Sequence, residues 1–351
     1  MTRAPGVRPR GVAATVAEGL RRVVSAPAVL LGVWLVTVLA ALPLTLALQR
    51  AIAADLGPSL EAEQAVRGVN WDWWQEFQFR QPWASDTFQP TIIGFAAPLR
   101  NISAWFAGDW GGWPVAAAAA IYVGAWVFLV GGVLDRYARH RRLRAHGFFG
   151  ASGVFFFRFL RLAVLAALVW GFVFGVVRGW LFETAYPWLT RDVTVERTAF
   201  LWWLLLALAF ALLAGAVMLL FDYAKVRAVV EDRRSMIGAL MAAARFVRRH
   251  PGATIGVFTA NTGLFVLVLA AYALAAGGAG GGETWRVLGG LLLAQLYVLA
   301  RLVVKLSFYA SAIVLFQDRL SHAAWTAAPQ PVWPDSPAVE AIADAAGPAA
   351  R

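Results

Sequence analysis

Residues 28–49 read AVLLGVWLVTVLAALPLTLALQ, a run without one charged side chain. A hydrocarbon layer of about 30 Å is crossed by about 20 mostly apolar residues in helical form, so this stretch has the length and composition of a membrane crossing. It also exceeds the roughly 7–15-residue apolar region of a secretory signal. Before it lies the amphipathic stretch GVAATVAEGLRRVVSAP. A retained crossing from Ala28 to Gln49 is therefore expected in place of a cleaved leader.

Five further segments carry the same signature: Pro114 to Leu134, Leu160 to Leu181, Phe200 to Phe221, Gly252 to Ala276, and a sixth from Trp285 past Lys305. The sixth pattern continues to Phe316, too long for one perpendicular crossing, which predicts tilt or an extension beyond the bilayer. The whole composition agrees. Of 351 residues, 60% are hydrophobic and 15% charged, with a mean hydropathy of +0.64. A soluble domain holds about 45–50% apolar and about 25% charged residues. This excludes a water-soluble enzyme, and it excludes extended disorder, which needs few apolar residues and many charges. The expected fold is an all-α polytopic membrane protein. Residues 1–320 form a single six-helix domain, and the Ala/Pro-rich stretch 321–351 is a mobile cytoplasmic tail.

Charge fixes the orientation. With both termini in the cytoplasm, the inner segments 1–27, 135–161, 222–251 and 317–351 hold 21 Lys and Arg against 9 Asp and Glu. The outer segments hold 8 against 11. The net charge of +11 is then a positive-inside signature. Nucleic-acid binding would need a basic face on a soluble module, and none is present. The location this predicts is the bacterial cytoplasmic (inner) membrane.

Internal repetition organises the crossings. The second ends VLDRYAR with RFLR following, and the fourth ends LFDYAKVR with RFVR following. The interval from Asp135 to Arg158 equals that from Asp222 to Arg245, and LFQDRL places Asp318 at a third exit. On the approach side, residues 20–34 (LRRVVSAPAVLLGVW) align with residues 244–258 (ARFVRRHPGATIGVF), setting Pro27 on Pro251. Three hairpin units result, at about 11–139, 145–227 and 232–319. Each is expected to hold a cytoplasmic-side amphipathic helix, an outward crossing, an external loop and a return. In residues 235–252 (SMIGALMAAARFVRRHPG) the apolar Met236, Ile237, Leu240, Met241, Ala244 and Val247 recur at helical intervals, and Arg245, Arg248 and Arg249 cluster near the end. This predicts an inner-surface helix with its apolar side toward lipid or bundle. Its arginines, at about 1 kcal/mol each, would face anionic inner-leaflet headgroups or a membrane-protein partner.

The six-helix layout, the aspartate-tyrosine exits and the approach RFVRRHPG resemble the membrane domain fused to some bacterial glycerophosphodiester phosphodiesterases, and related six-helix bacterial membrane families. The resemblance covers most of residues 10–320. No soluble catalytic domain is expected beside the membrane part, so the resemblance implies fold and not phosphodiester chemistry.

Residues 50–113 form the one large external segment. Its run NWDWWQEFQFRQPW brings together Trp71, Trp73, Trp74, Phe77, Phe79 and Trp83, ring types that favour the membrane–water boundary. The following stretch, TFQPTIIGFAAPLRNISAWF, is interrupted by Pro90, Pro98 and Arg100 and reads as an interfacial lid. A membrane-resting cap is the favoured role. Sugar or headgroup binding, with Asp72, Glu76 and Asp86 holding a cationic group, is the rival.

At membrane depth, Arg301 and Lys305 stand one turn apart on the sixth crossing, with Asp135, Asp222 and Asp318 as candidate ion-pair partners. Charge pairing that fixes helix packing is the first reading, and a site for an anionic substrate or headgroup the second. Gln295 and Asn261 are expected to bond neighbouring helices. Gly171, Gly175 and Gly179 would let another helix approach closely. The four histidines lack paired ligand spacing, and neither a GxSxG elbow nor a phosphate loop occurs; GGAGGG at 277–282 reads as a linker. No catalytic residue, metal or cofactor is expected. The functional expectation is a non-enzymatic component that organises the membrane or supports a partner protein. The alternative is a small transporter or lipid-handling permease with a polar site near Arg301 and Lys305.

Overall fold

A computed structural model describes residues 10–57, 59, 62–63, 70–85, 113–139, 145–276 and 284–320. The expected lid at 87–106, Asp86, His140, the 277–282 linker, His322 and the tail 321–351 lie outside them. Among the described residues all regular structure is helical. Six helices have the length and apolarity of membrane crossings, so the chain is an all-α polytopic membrane protein. They are α2 (Pro27–Leu56), α4 (Trp113–Arg139), α5 (Ala145–Thr190), α6 (Glu196–Val230), α8 (Pro251–Ala276) and α9 (Thr284–Arg319). Two shorter helices, α1 (Val12–Val24) and α7 (Met236–Arg249), precede α2 and α8, and α3 (Trp71–Arg80) follows α2.

Proline decides where the short helices separate from the long ones. Pro27 and Pro251 open α2 and α8, where a missing N–H is harmless. The residue before each is pushed out of helical conformation, and Ala26 and His250 indeed lie outside it. Ser235 starts α7 by accepting the Gly238 N–H at 3.2 Å. The segment before the third crossing has no such break. From Ala145 to Tyr186 there is no proline, and α5 runs through without interruption. The separate amphipathic helix expected there is fused into the crossing.

One further element differs from expectation. A Cβ at Gly171 or Gly175 would meet nothing within 4 Å, so no helix among the described residues approaches this stripe. The chain there, Phe172–Val177 and Trp180–Ala185, instead takes wide π-helical turns. The tryptophan-rich run folds as α3, with Asn70 accepting the Trp73 N–H at its start. Trp73 Nε1 donates to Asp55 at 2.9 Å, Arg80 pairs with Asp55 at 3.0 Å, and Phe77 is fully buried. These contacts seat the run on the end of α2.

Burial is uneven along the bundle. Leu134 and Tyr137 of α4, Tyr223 and Ala224 of α6, and Leu306, Ile313 and Phe316 of α9 form a dense core at one end. Because Arg22, Arg136, Arg227 and the arginines of α7 gather at this end, we call it the basic end. The helix α9 is its central post. Its span is 61% buried, against 11–33% for the other five. Tyr137-Ala138, Tyr223-Ala224 and Tyr309-Ala310 recur at equal intervals, one pair on each return helix, and all six residues are buried. The third member of this series is Tyr309, and Asp318 falls beyond it because α9 continues to Arg319.

The short helices dock by a common rule. The helix α7 packs mainly on α6 and α5, behind it in the chain, and the first half of α5 packs on α4. The helix α1 packs mainly on α9 and α8, the last two among the described residues. A Cβ at Gly19 would stand 2.8 Å from the backbone nitrogen of Ser311, and one at Gly256 2.9 Å from Val12 Cγ2. On α7 the buried face is Met236, Ala239, Ala242, Ala243 and Phe246. Of the apolar residues expected to face lipid or bundle, Ile237 and Met241 are 60% and 58% exposed and lie off the packed side. Small alanines allow the close approach to α6, and the Phe246 ring fits between Tyr223 and Phe316 at 5.2 and 5.0 Å.

Candidate functional site

Lys305 extends from α9 about 21 Å from the helix end at Arg319, at roughly 1.5 Å per residue. Two aromatic residues one turn apart on α4 receive it. Its Nζ donates to Tyr122 Oη at 3.1 Å and lies 3.4 Å from the centroid of the Trp126 ring. From α6, Lys225 Nζ donates to Asp222 Oδ1 at 2.8 Å and to Tyr309 Oη at 3.3 Å. Lys225, Asp222 and Lys305 all line a cavity of about 260 Å³ enclosed by α4, α5, α6 and α9. The remaining wall is apolar and aromatic, including Val130, Phe159, Leu162, Phe221 and Phe308.

The charges in this cavity do not cancel. Asp222 is matched by Lys225, which leaves the Lys305 ammonium as the unbalanced charge. Among the described residues no carboxylate forms an ion pair with Lys305 or with Arg301. A cation on an aromatic face gains about 0.5–2 kcal/mol, which is less than the usual cost of holding a charge at membrane depth. The Lys305 charge in the cavity wall is thus left without a counter-charge among the described residues.

The sequence-derived candidates separate in space. Lys305 and Asp222 line the cavity, whereas the Arg301 guanidinium stands 5.4 Å from the Tyr297 ring. Asp135 pairs with Arg139 at 2.6 Å, and Asp318 accepts the Arg10 backbone N–H at 2.9 Å. Each of the three exit carboxylates therefore has a direct partner other than Arg301 or Lys305. Arg245, Arg248 and Arg249 are exposed along α7. Lys225 joins Lys305 and Asp222 in the cavity wall, and the sequence carries its signal: an Asp and a Lys three residues apart in an apolar helix form a same-face pair. Trp126 and Tyr122 carry no local signal, because their partner lies on a helix remote in sequence.

A second polar cluster closes the basic end. The buried Arg22 donates from Nη1 to the Tyr137 carbonyl at 2.9 Å and to Gln317 Oε1 at 3.0 Å. Gln317 Nε2 donates to the Ala138 carbonyl at 2.8 Å. These are carbonyls of the last turn of α4, which have no partner within their own helix. Burial raises the Glu18 carboxyl, but Arg21 and Arg22 outweigh it and hold the group below its ordinary value. Burial, then Arg319 and Arg249, lower His250. Between the long helices, Ser307 Oγ donates to Asn261 Oδ1 at 2.8 Å, and Trp34 Nε1 to Gln295 Oε1 at 3.0 Å. A larger cavity, about 520 Å³, lies among the α1–α2 junction, α4 and the start of α5, with Arg136, Phe148 and Val33 in its wall.

The chain matches no protein-family model, no curated protein and no solved structure.

Proposed function

We propose that this protein is a non-enzymatic component of a bacterial inner membrane that organises anionic lipid at its cytoplasmic face, with both termini on that side. One observation carries the reading. Ile237, Met241, Arg245 and Arg248 follow one another along the exposed face of α7, apolar in the first half and cationic in the second. A helix that places apolar side chains among acyl chains and arginines among headgroups has this pattern. The excess of basic residues in the inner segments supports the orientation. The likeness to the membrane domain fused to some glycerophosphodiester phosphodiesterases fits a role beside lipid, without their chemistry.

The test is the lipid that co-purifies with the protein. Replacing Arg245, Arg248 and Arg249 together by Gln removes up to about 1 kcal/mol per residue of attraction to an anionic surface. The co-purified ratio of phosphatidylglycerol to phosphatidylethanolamine is expected to fall severalfold toward the bulk ratio. An unchanged ratio would overturn the proposal. A small carrier or permease is the second reading, favoured by the cavity that contains Lys305 within the bundle.

A further inference from the structure

We infer that the cavity enclosed by α4, α5, α6 and α9 is a binding site for a single-chain anionic amphiphile, whose carboxylate or phosphate contacts Lys305 and whose chain leaves between α5 and α6. The inference concerns binding alone and stands apart from the lipid-surface role of α7.

Three observations support it together. First, Lys305 carries the unmatched charge, and its donors are only partly used. An ammonium has three N–H groups; one goes to Tyr122 Oη and the Trp126 face takes another side. The remainder faces the cavity that Lys305 lines. Lys225, already bonded to Asp222, adds a positive group to the same wall without adding net charge. An anion entering here meets one uncompensated cation and a phenol. A neutral ligand would gain only a hydrogen bond from Lys305, without the ion-pair attraction, and a cationic one would be repelled.

Second, the wall opposite the lysines is apolar. Phe159, Leu162, Ala163 and Ala166 come from α5, and Met218 and Phe221 from α6. A small hydrated anion would leave these surfaces unpartnered, whereas a hydrocarbon chain packs on them as bilayer chains pack on the outer faces of the helices.

Third, the cavity is open on one side, and Met218 of α6 in its lining is 45% exposed. At about 260 Å³ the space is smaller than the roughly 300–1,000 Å³ of sites that enclose a drug-sized ligand. It holds a headgroup fragment and the first part of a chain, and the rest of the chain continues into the bilayer.

Trp126 and Trp170, which both line the cavity, provide the readout. The full-length protein in non-ionic detergent is titrated with dibrominated stearate, with its methyl ester, and with a dibrominated lysophosphatidic acid, and tryptophan quenching is followed. The expected result is a saturable component of quenching by one or both acids, absent with the ester and lost when Trp126→Phe and Trp170→Phe are combined. The acid that quenches identifies a fatty carboxylate or a lipid phosphate as the natural group. Lys305→Met is expected to weaken this binding at least about tenfold, because an anion would lose its buried partner, while Lys305→Arg restores most of it. Ala166→Leu fills the chain path without touching any charge and is expected to abolish saturation, which keeps the test decisive should Lys305→Met fail to fold. Equal quenching by ester and acid overturns the inference. So does an affinity unchanged in Lys305→Met or in Ala166→Leu. The triple arginine variant of α7 is expected to bind both acids as the parent protein does, so the two proposals fail separately.

Discussion

Gly19 shows how little room one residue leaves at the basic end. A methyl group there would stand 2.2 Å from Ser311 Oγ and 2.8 Å from the Ser311 backbone nitrogen. A hydroxyl tip can rotate away, but the backbone of α9 cannot. Gly19→Ala is therefore expected to cost about 1–3 kcal/mol, the usual range for overpacking. Gly11→Ala, with nothing within 4 Å, is expected to be neutral. Thermal unfolding of the two variants in detergent, followed by loss of the monodisperse gel-filtration peak, checks the difference. Nothing in AEGLRRVV marks Gly19 as a contact, because the surface it meets lies at the far end of the chain. Arg22 is hidden from a sequence reading for the same reason. Beside Arg21 it looks like one more solvated rim charge, yet it is buried and bonded to a carbonyl of α4 and to Gln317 of α9.

Elements were more legible than residues wherever a local rule decides them. Pro27 and Pro251 announce two helix breaks, and the absence of a proline before the third crossing explains why α5 is continuous. The buried face of α7 was less accessible. Hydropathy favours Ile237 and Met241, but helices that touch closely need small side chains at the seam, and Ala239, Ala242 and Ala243 supply them. This makes a distinction that experiment can draw. Ala243→Leu is expected to force α7 off α6, with a loss of about 1–3 kcal/mol. Met241→Gln on the exposed flank is expected to stay within about 0.5 kcal/mol. Limited proteolysis in the turn at Asp232–Ser235 reads the undocking, with faster cleavage expected in Ala243→Leu alone.

For the molecule as a whole, six apolar runs gave the architecture, because a bilayer imposes length on any chain that crosses it. The cavity was only half legible. Lys305 stood out as a cation at depth, while the aromatic walls and the Asp222–Lys225 pair come together only when four helices converge. Topology can be read directly. A reporter in the Asp232–Ser235 turn is expected to signal from the cytosol, and one in the Arg191–Val195 turn from the opposite side; the reverse pattern would invert the sidedness argued from charge. The seating of α1 on α9 carries a consequence for biogenesis. The helix α1 is translated well before α9, on which it seats, so Gly19 and Arg22 lack their partners until residues 302–319 have been made. A nascent chain arrested between the two leaves α1 unhoused, and a quality-control protease would meet the same frayed basic end whether the lesion lies in α1 or in α9.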